Sequence, residues 1–240
     1  WDFLPAGLFA GGAPFNVSYH LSRAGIASRL VSAVGRDLLG EELLRRMQAW
    51  ELPTDCVARL QDRPTGFVRA TLGQTGDAKY TITENVAWDH IPATEHVLEH
   101  ARGADGLVFG TLAQRSGDNR STLSLLLDTL PKHALRVFDV NLRPPYDDLA
   151  LARALASKAT LTKLNAEEAA RLANAPDQVE GREEQHARSI ARDTGCRFIC
   201  VTCGSRGAGL LHEDAWYWEQ GHDVAVEDTV GAGDAFLASL

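Results

Sequence analysis

Short apolar, β-rich runs alternate along this chain with segments whose apolar residues recur at helical spacing. The strand-like runs are Leu30 to Val34, Asp105 to Phe109, Leu135 to Val140, Thr160 to Leu164 and Arg197 to Thr202. Helical periodicity marks Pro14 to Ala24, Glu41 to Trp50, Ser116 to Leu130, Asp148 to Ser157 and Arg182 to Thr194. Strand followed by helix, repeated, predicts an α/β fold with a mostly parallel sheet flanked by helices, because parallel neighbours need a crossover long enough to hold a helix. In the second helix Glu41 and Glu42 fall in the first turn and Arg45 and Arg46 follow four residues later, as dipole and i,i+4 pairing favour.

The texture changes between Thr54 and Val86. Cys56 to Leu60, Gly66 to Leu72 and Lys79 to Thr83 read as short strands, joined by Asp62-Arg63-Pro64 and by Gly73 to Asp77. No crossover helix fits between them, so an antiparallel patch is expected. Another strand-like run, Asp223 to Val226, leads into Asp228-Thr229-Val230-Gly231-Ala232-Gly233-Asp234-Ala235-Phe236. The most polar stretch, Asp177 to Gln185, reads as a solvated loop and helix start.

Composition narrows the picture. With 240 residues, 45% of them apolar and 23% charged, the chain can bury a sizeable core and reads as one main globular domain. A formal net charge of -8, with no basic cluster longer than Arg45-Arg46, argues against a nucleic-acid partner. Phe3 to Ser22 lacks charged residues, but prolines and glycines interrupt it, so no membrane helix is expected; no signal peptide is recognisable, and a cytoplasmic location follows. Cysteines stand at 56, 196, 200 and 203; the Cys200-x-x-Cys203 pair lacks the second pair a zinc site needs and reads as buried structure. The eight histidines show no HExxH or comparable spacing and read as surface or core residues, not metal ligands.

The turn at Gly231-Ala232-Gly233-Asp234 carries the most chemistry. Glycines at 231 and 233 let successive backbone N–H groups face one concavity at a helix start, where the dipole adds positive charge, so the turn suits an anion. An aspartate beside an anion needs a chemical reason, and accepting a proton from an attacking hydroxyl supplies one. The alternative reading is an acid that complements the dipole of its own helix. Asn165-Ala166-Glu167-Glu168 has capping-box spacing, with Asn165 as N-cap. Asp139, Asn141 and Arg143 lie two apart, which on a strand would send all three to one face near its carboxyl end.

The Gly231-Ala232-Gly233-Asp234 segment resembles the C-terminal signature of the ribokinase-like, or phosphofructokinase-B, sugar kinases. Gly11-Gly12-Ala13-Pro14-Phe15-Asn16, Gly25 and Val34-Gly35-Arg36-Asp37-Leu38-Leu39-Gly40 match the family's N-terminal order. Pro64-Thr65-Gly66, Asp139 to Arg143, Lys163 to Glu168 and Val201-Thr202-Cys203-Gly204 extend the resemblance over nearly the whole chain. It implies a ribokinase-like fold with a core at 11–53 and 87–240 and a β-strand lid at 3–10 and 54–86 that covers the sugar and joins a homodimer. It also implies chain ends that are incomplete, since Trp1 begins where a first core strand should be ending and Leu240 falls within a helix.

For the site, the resemblance implies Asp234 as catalytic base with Gly231, Ala232 and Gly233 as its backbone anion hole. Asp2, Gly12, Asn16, Asp37 and Arg143 would face the sugar, and Lys163, Asn165, Thr202, Gly204 and Gly207 the nucleotide. Glu168 would organise Mg²⁺ through water, and Asp228 and Val230 would hold a monovalent cation such as K⁺. For Lys163 a strand lysine snorkelling to solvent is an equal reading. The implied substrates are ATP and a sugar. Ala78 to Ile82, Val86 to Ile91 and Asp139 to Tyr146 resemble the bacterial fructokinases, which points to D-fructose over 2-keto-3-deoxygluconate or ribose.

Two other classes compete. A dinucleotide-binding oxidoreductase would use Gly231-x-Gly233, but Phe236 stands at the third glycine of that fingerprint. A non-catalytic sugar-binding protein of the same fold is opposed by the intact Asp234 and its turn. No GxxxxGK[ST] P-loop is present, and Cys203-Gly204-Ser205-Arg206-Gly207 lacks the first glycine of a serine-hydrolase elbow.

Overall fold

The computed structural model describes residues 1–4, 7–72, 78–225 and 229–240. The chain opens with β1 (Asp2–Leu4), β2 (Gly7–Phe9), α1 (Ala13–Arg23), β3 (Ser32–Gly35), α2 (Leu38–Ala49) and β4 (Val57–Leu60). It continues through β5 (Val68–Leu72), β6 (Ala78–Ile82), α3 (Glu95–Arg102), β7 (Gly106–Gly110), α4 (Gly117–Thr129), β8 (Leu135–Asp139) and α5 (Leu149–Ala156). Then come β9 (Leu161–Asn165), α6 (Ala166–Leu172), α7 (Glu183–Thr194), β10 (Phe198–Thr202), β11 (Gly207–His212), β12 (Ala215–Gln220) and α8 (Ala232–Ser239). The residues form two compact units. One comprises Trp1–His100, Ser116–Leu126 and Gly231–Leu240; the other comprises Ala101–Arg115 and Leu127–Val230.

The second unit holds the six-stranded sheet, in the order β12-β11-β10-β9-β8-β7. β7 to β10 run parallel, with crossovers through helices, as the alternating pattern predicts. β11 and β12 add an antiparallel edge hairpin that the sequence reading omitted. β12 is an edge strand with mostly exposed positions, so it lacks the apolar run that marks a buried strand. Phe138, Leu164, Ile199, Val201 and Leu211 are fully enclosed in this sheet's core, with Leu172 and Ile190 from the covering helices.

In the first unit, Trp1, Phe15, Leu30, Val34, Leu43, Met47, Leu52 and Val57 form one apolar cluster. Two smaller sheets accompany it, β2-β1-β5-β6 and the pair β3-β4. The antiparallel patch expected over Thr54 to Val86 is corrected here in two ways. β4 does not belong to it: Ser32 to Gly35 pair in parallel with Val57 to Leu60, making β3-α2-β4 a crossover unit of its own. In addition, β5 pairs in parallel with β1, through Asp2 to Val68 and Phe3 to Arg69, while β1-β2 and β5-β6 are antiparallel. The turn expected at Gly73 to Asp77 lies outside the described residues, as does the two-residue connection between β1 and β2.

Local chemistry explains the helix starts. α2 begins three residues earlier than its periodicity implies because Asp37 caps it, accepting a hydrogen bond from Gly40 N at 2.8 Å. Gly40 then sits inside the helix, where glycine is ordinarily unfavourable. A Cβ there would overlap the Gly35 carbonyl, so the residue is set by the close approach of α2 to the end of β3. Asp148 caps α5 through Ala150 N and Leu151 N.

Candidate active site

In the first unit, two helix N-termini bring the N- and C-terminal signatures together. Gly231, with φ of 76°, caps α8 and places Asp234 in its first turn; Asp234 N and Ala235 N both donate to Gly231 O, at 3.0 and 2.9 Å. The N–H groups of a helix's first turn have no intrahelical acceptor, so this end of α8 offers donors and positive dipole to an anion. On α1, which packs against α8, Gly12 is the N-cap with φ of 111° and Asn16 lies one turn in. Asn16 Nδ2 donates to Asp234 Oδ2 at 2.8 Å, across 218 positions of sequence. The amide thereby fixes the carboxylate's rotation and sets the direction of its second oxygen.

Asp2 stands on β1, half-buried, with its carboxylate against Gly11. Any Cβ at Gly11 would overlap Asp2 Oδ2, so the first glycine of the pair permits this carboxylate's position.

Asp37 has a duty the sequence did not assign it. Its Oδ1 accepts from Gly40 N and from Thr65 Oγ1 at 2.7 Å, and its Oδ2 accepts from Thr65 N at 2.7 Å. Burial alone would raise its carboxyl, but the Thr65 hydroxyl and the backbone donors of Thr65, Gly40 and Leu39 outweigh it and hold the group below the usual carboxylate range. Asp37 is thus the joint between α2 and the Pro64-Thr65-Gly66 segment, and the sugar-facing role is not supported by its contacts.

In the second unit, register brings the other expected residues to one sheet edge. Asp139 is level with Lys163, and Asn165 with Thr202, at the carboxyl ends of β8, β9 and β10. Ligands of open α/β sheets gather at this edge. Gly204 and Gly207 follow β10 with φ of 58° and 118°, and Cys203 N donates to Gly207 O at 2.8 Å to close the loop.

Three expectations here need correction. β8 ends at Asp139 and Asn141 turns to φ of 39°, so Asp139, Asn141 and Arg143 do not continue one strand face. Arg143 itself is exposed, with its guanidinium on the Leu142 carbonyl. Lys163 neither snorkels to solvent nor stands open to a nucleotide: it is 7% exposed and its Nζ lies 3.1 Å from Asp139 Oδ1. Such a buried pair ties the end of β8 to the middle of β9, because either charge alone would be costly there.

Glu168 is buried, and both its oxygens take backbone donors. Oε2 accepts from Asn165 N at 2.9 Å, completing the capping box, and Oε1 accepts from Leu142 N at 2.7 Å. The second bond was not legible from spacing, since it ties α6 to the loop after β8. So engaged, Glu168 does not fit as a direct magnesium ligand; each oxygen retains only the lone pair a bridging water would use. Asp228 lies outside the described residues, as does the end of the strand expected at Asp223 to Val226; residues 223 to 225 are not strand. Val230 is exposed.

Two of the eight histidines lie side by side. His96 and His100 are i,i+4 neighbours on α3, their rings edge to face at 4.6 Å between centroids, with Asp55 Oδ2 3.2 Å from His96 Nε2 and 3.3 Å from His100 Nε2. The His-x₃-His spacing was present in the sequence, but its partners Asp55 and Cys56 are about forty residues away. Among the described residues no helix is long and apolar enough to cross a membrane.

Comparison with known proteins accords with this geometry. The pfkB family carbohydrate kinase pattern matches residues 6–240. A fructokinase of Salmonella typhimurium is 27% identical over 236 residues, 96% of this chain and 75% of that one. The structure of a sugar kinase from Pyrococcus horikoshii in complex with ATP shares a TM-score of 0.81 at 25% identity, covering 95% of this chain and 73% of that one. A fructokinase from Xylella fastidiosa with bound ATP superposes with a TM-score of 0.85 at 21% identity, covering 99% and 75%. The fold is therefore ribokinase-like, with the mostly parallel, helix-flanked sheet that the sequence pattern implied.

Proposed function

Because the chain belongs to the pfkB family of carbohydrate kinases, we propose that it transfers the γ-phosphoryl group of ATP to a sugar hydroxyl, with D-fructose as the acceptor. The observation that carries this reading is the 2.8 Å hydrogen bond from Asn16 to Asp234 at the head of α8. It sets a carboxylate, held by an amide, at a helix N-terminus, an arrangement that suits phosphoryl transfer to an alcohol. Fructose rests on relatives such as the Salmonella fructokinase and on the sequence resemblance of Val86 to Ile91 and Asp139 to Tyr146.

In this mechanism the sugar oxygen attacks the γ-phosphorus, the bond to the β,γ-bridging oxygen breaks, and the hydroxyl proton passes to Asp234. The transition state is loose and the proton leaves late, so the step does not call for a strong base. Its main contribution is to hold the nucleophile in line, with Asn16 holding the carboxylate. The Gly231, Ala232 and Gly233 N–H groups stabilise charge on the moving phosphoryl group. Asp2 and Gly12 complete the sugar side, while Asn165, Thr202, Gly204 and Gly207 serve the nucleotide. Magnesium enters bound to ATP, as part of the substrate, where its role is to offset phosphate charge.

The β2-β1-β5-β6 sheet is the candidate cover and dimer face, supported by Phe9, which is 46% exposed. A reducing, ATP-supplied compartment such as the cytoplasm suits this chemistry and the four unpaired cysteines. The test is a coupled assay of ADP release across about ten sugars with wild type and Asp234→Asn. Turnover fastest with fructose and lost in the variant supports the reading; no ADP release with any sugar overturns it. Small-angle scattering with and without the preferred sugar tests the cover and the dimer, and an unchanged monomer in both conditions would rule them out.

A further inference from the structure

Outside the kinase machinery, the first unit contains a compact group of four potential metal ligands. Asp55 and Cys56 precede β4, and His96 and His100 project from one face of α3. The carboxylate oxygen, the sulfur and the two ring nitrogens all lie within 4.8 Å of one another. Asp55 Oδ2 is 3.2 Å from His96 Nε2 and 3.3 Å from His100 Nε2. Bond lengths to zinc place ligand atoms of a tetrahedral site about 3.2 to 3.7 Å apart, so two edges already match and the others, none longer than 4.8 Å, close by side-chain rotation when the ion binds. His100 Nε2 is buried as an atom and has no hydrogen-bond partner among the described residues, so it faces Asp55 without the geometry of a hydrogen bond.

We propose that Asp55, Cys56, His96 and His100 form a zinc site that staples α3 to the entrance of β4. The donor set decides the metal class. One thiolate, two imidazoles and one carboxylate suit a tetrahedral borderline-soft ion, whereas magnesium and calcium prefer all-oxygen shells. Binding exchanges the Cys56 thiol proton for the metal, so one proton is released and no redox step occurs. Arg29 is the competing cation: its Nε lies 3.2 Å from Asp55 Oδ2. With 39% of its side chain exposed, Arg29 can turn to water when the ion arrives.

A hydrogen-bonded surface cluster alone would account for His96 and Asp55. Cys56, 3% exposed, adds a sulfur within 4.8 Å of both ring nitrogens, a donor that a surface ion pair does not use. The four ligands fill a tetrahedral shell, which makes the site structural, and it uses none of the residues assigned to sugar or nucleotide.

The experiment strips the purified protein with a chelator and titrates it with Zn²⁺ by calorimetry and with Co²⁺ by absorption spectroscopy. One equivalent should bind, with the intense visible bands of tetrahedral cobalt and a thiolate charge-transfer band in the near ultraviolet. Cys56→Ser should remove that charge-transfer band. His96→Gln, a change at an exposed position that should fold normally, should weaken binding at least about 10-fold, and the pair His96→Gln with His100→Gln about 100-fold or more. His133→Gln should leave binding unchanged. Octahedral cobalt spectra without a sulfur band, no saturable zinc binding, or equal affinity in wild type and the double histidine variant would each overturn the proposal.

Discussion

Asn16 and Asp234, 218 positions apart in sequence, meet through a single hydrogen bond of 2.8 Å from amide to carboxylate. The bond joins two helix N-termini, because Asn16 lies one turn into α1 and Asp234 in the first turn of α8. If Asp234 is the base, Asp234→Asn should lower kcat by at least about 10²-fold with little change in sugar affinity, since its interaction matters mainly in the transition state. Asn16→Ala should lower kcat/KM by about 10-fold or more while leaving the melting temperature nearly unchanged. Steady-state kinetics on both variants decide it, and near-wild-type turnover of Asp234→Asn would falsify the assignment.

Glu168 accepts one backbone hydrogen bond on each oxygen. Glutamine offers a single carbonyl oxygen and would turn an amine toward one of those donors. Glu168→Gln is therefore expected to lose about 1 to 3 kcal/mol of stability in urea unfolding, with its magnesium requirement unchanged. A raised magnesium requirement at undiminished stability would instead assign the carboxylate a water-mediated role at the metal.

Lys163 and Asp139 are both nearly excluded from solvent, and each is the other's counter-charge. Lys163→Met or Asp139→Leu alone should cost about 3 to 5 kcal/mol, because the remaining ion stays buried. The double replacement should cost clearly less than the sum. Equal, additive losses in a double-mutant cycle would show that the pair is not coupled, and lost ATP binding without lost stability would return Lys163 to the nucleotide.

Asp37 is held below its ordinary pKa in the folded protein, so its contribution is fully present above about pH 4 and is lost as pH falls through the lowered value. Asp37→Asn retains capping but cannot titrate. Its stability should therefore fall less steeply on acidification than that of wild type, while Asp37→Ala loses about 1 to 2 kcal/mol at neutral pH. Parallel unfolding curves of wild type and Asp37→Asn over the acid range would show that the carboxylate's charge contributes nothing.

The alternation of strands and helices, the order of the two signatures and the capping box at Asn165 were legible in the chain because each depends on neighbours within a turn or two. Periodicity reports which face is buried, and a cap needs only three residues of spacing. Partners distant in sequence were not legible. Nothing near Asn16 announces Asp234, nothing near Glu168 announces Leu142 N, and nothing near β4, which reads as a lid strand, announces its parallel pairing with β3. Lys163 shows the difference most directly: its letter allows solvent, phosphate or ion pair, and only the register of β9 against β8 set it opposite Asp139 in a dry place. Local pattern determined the elements and the chemistry they carry. Tertiary packing decided which groups share a hydrogen bond or a burial cost, because those energies depend on distance in space and not along the chain.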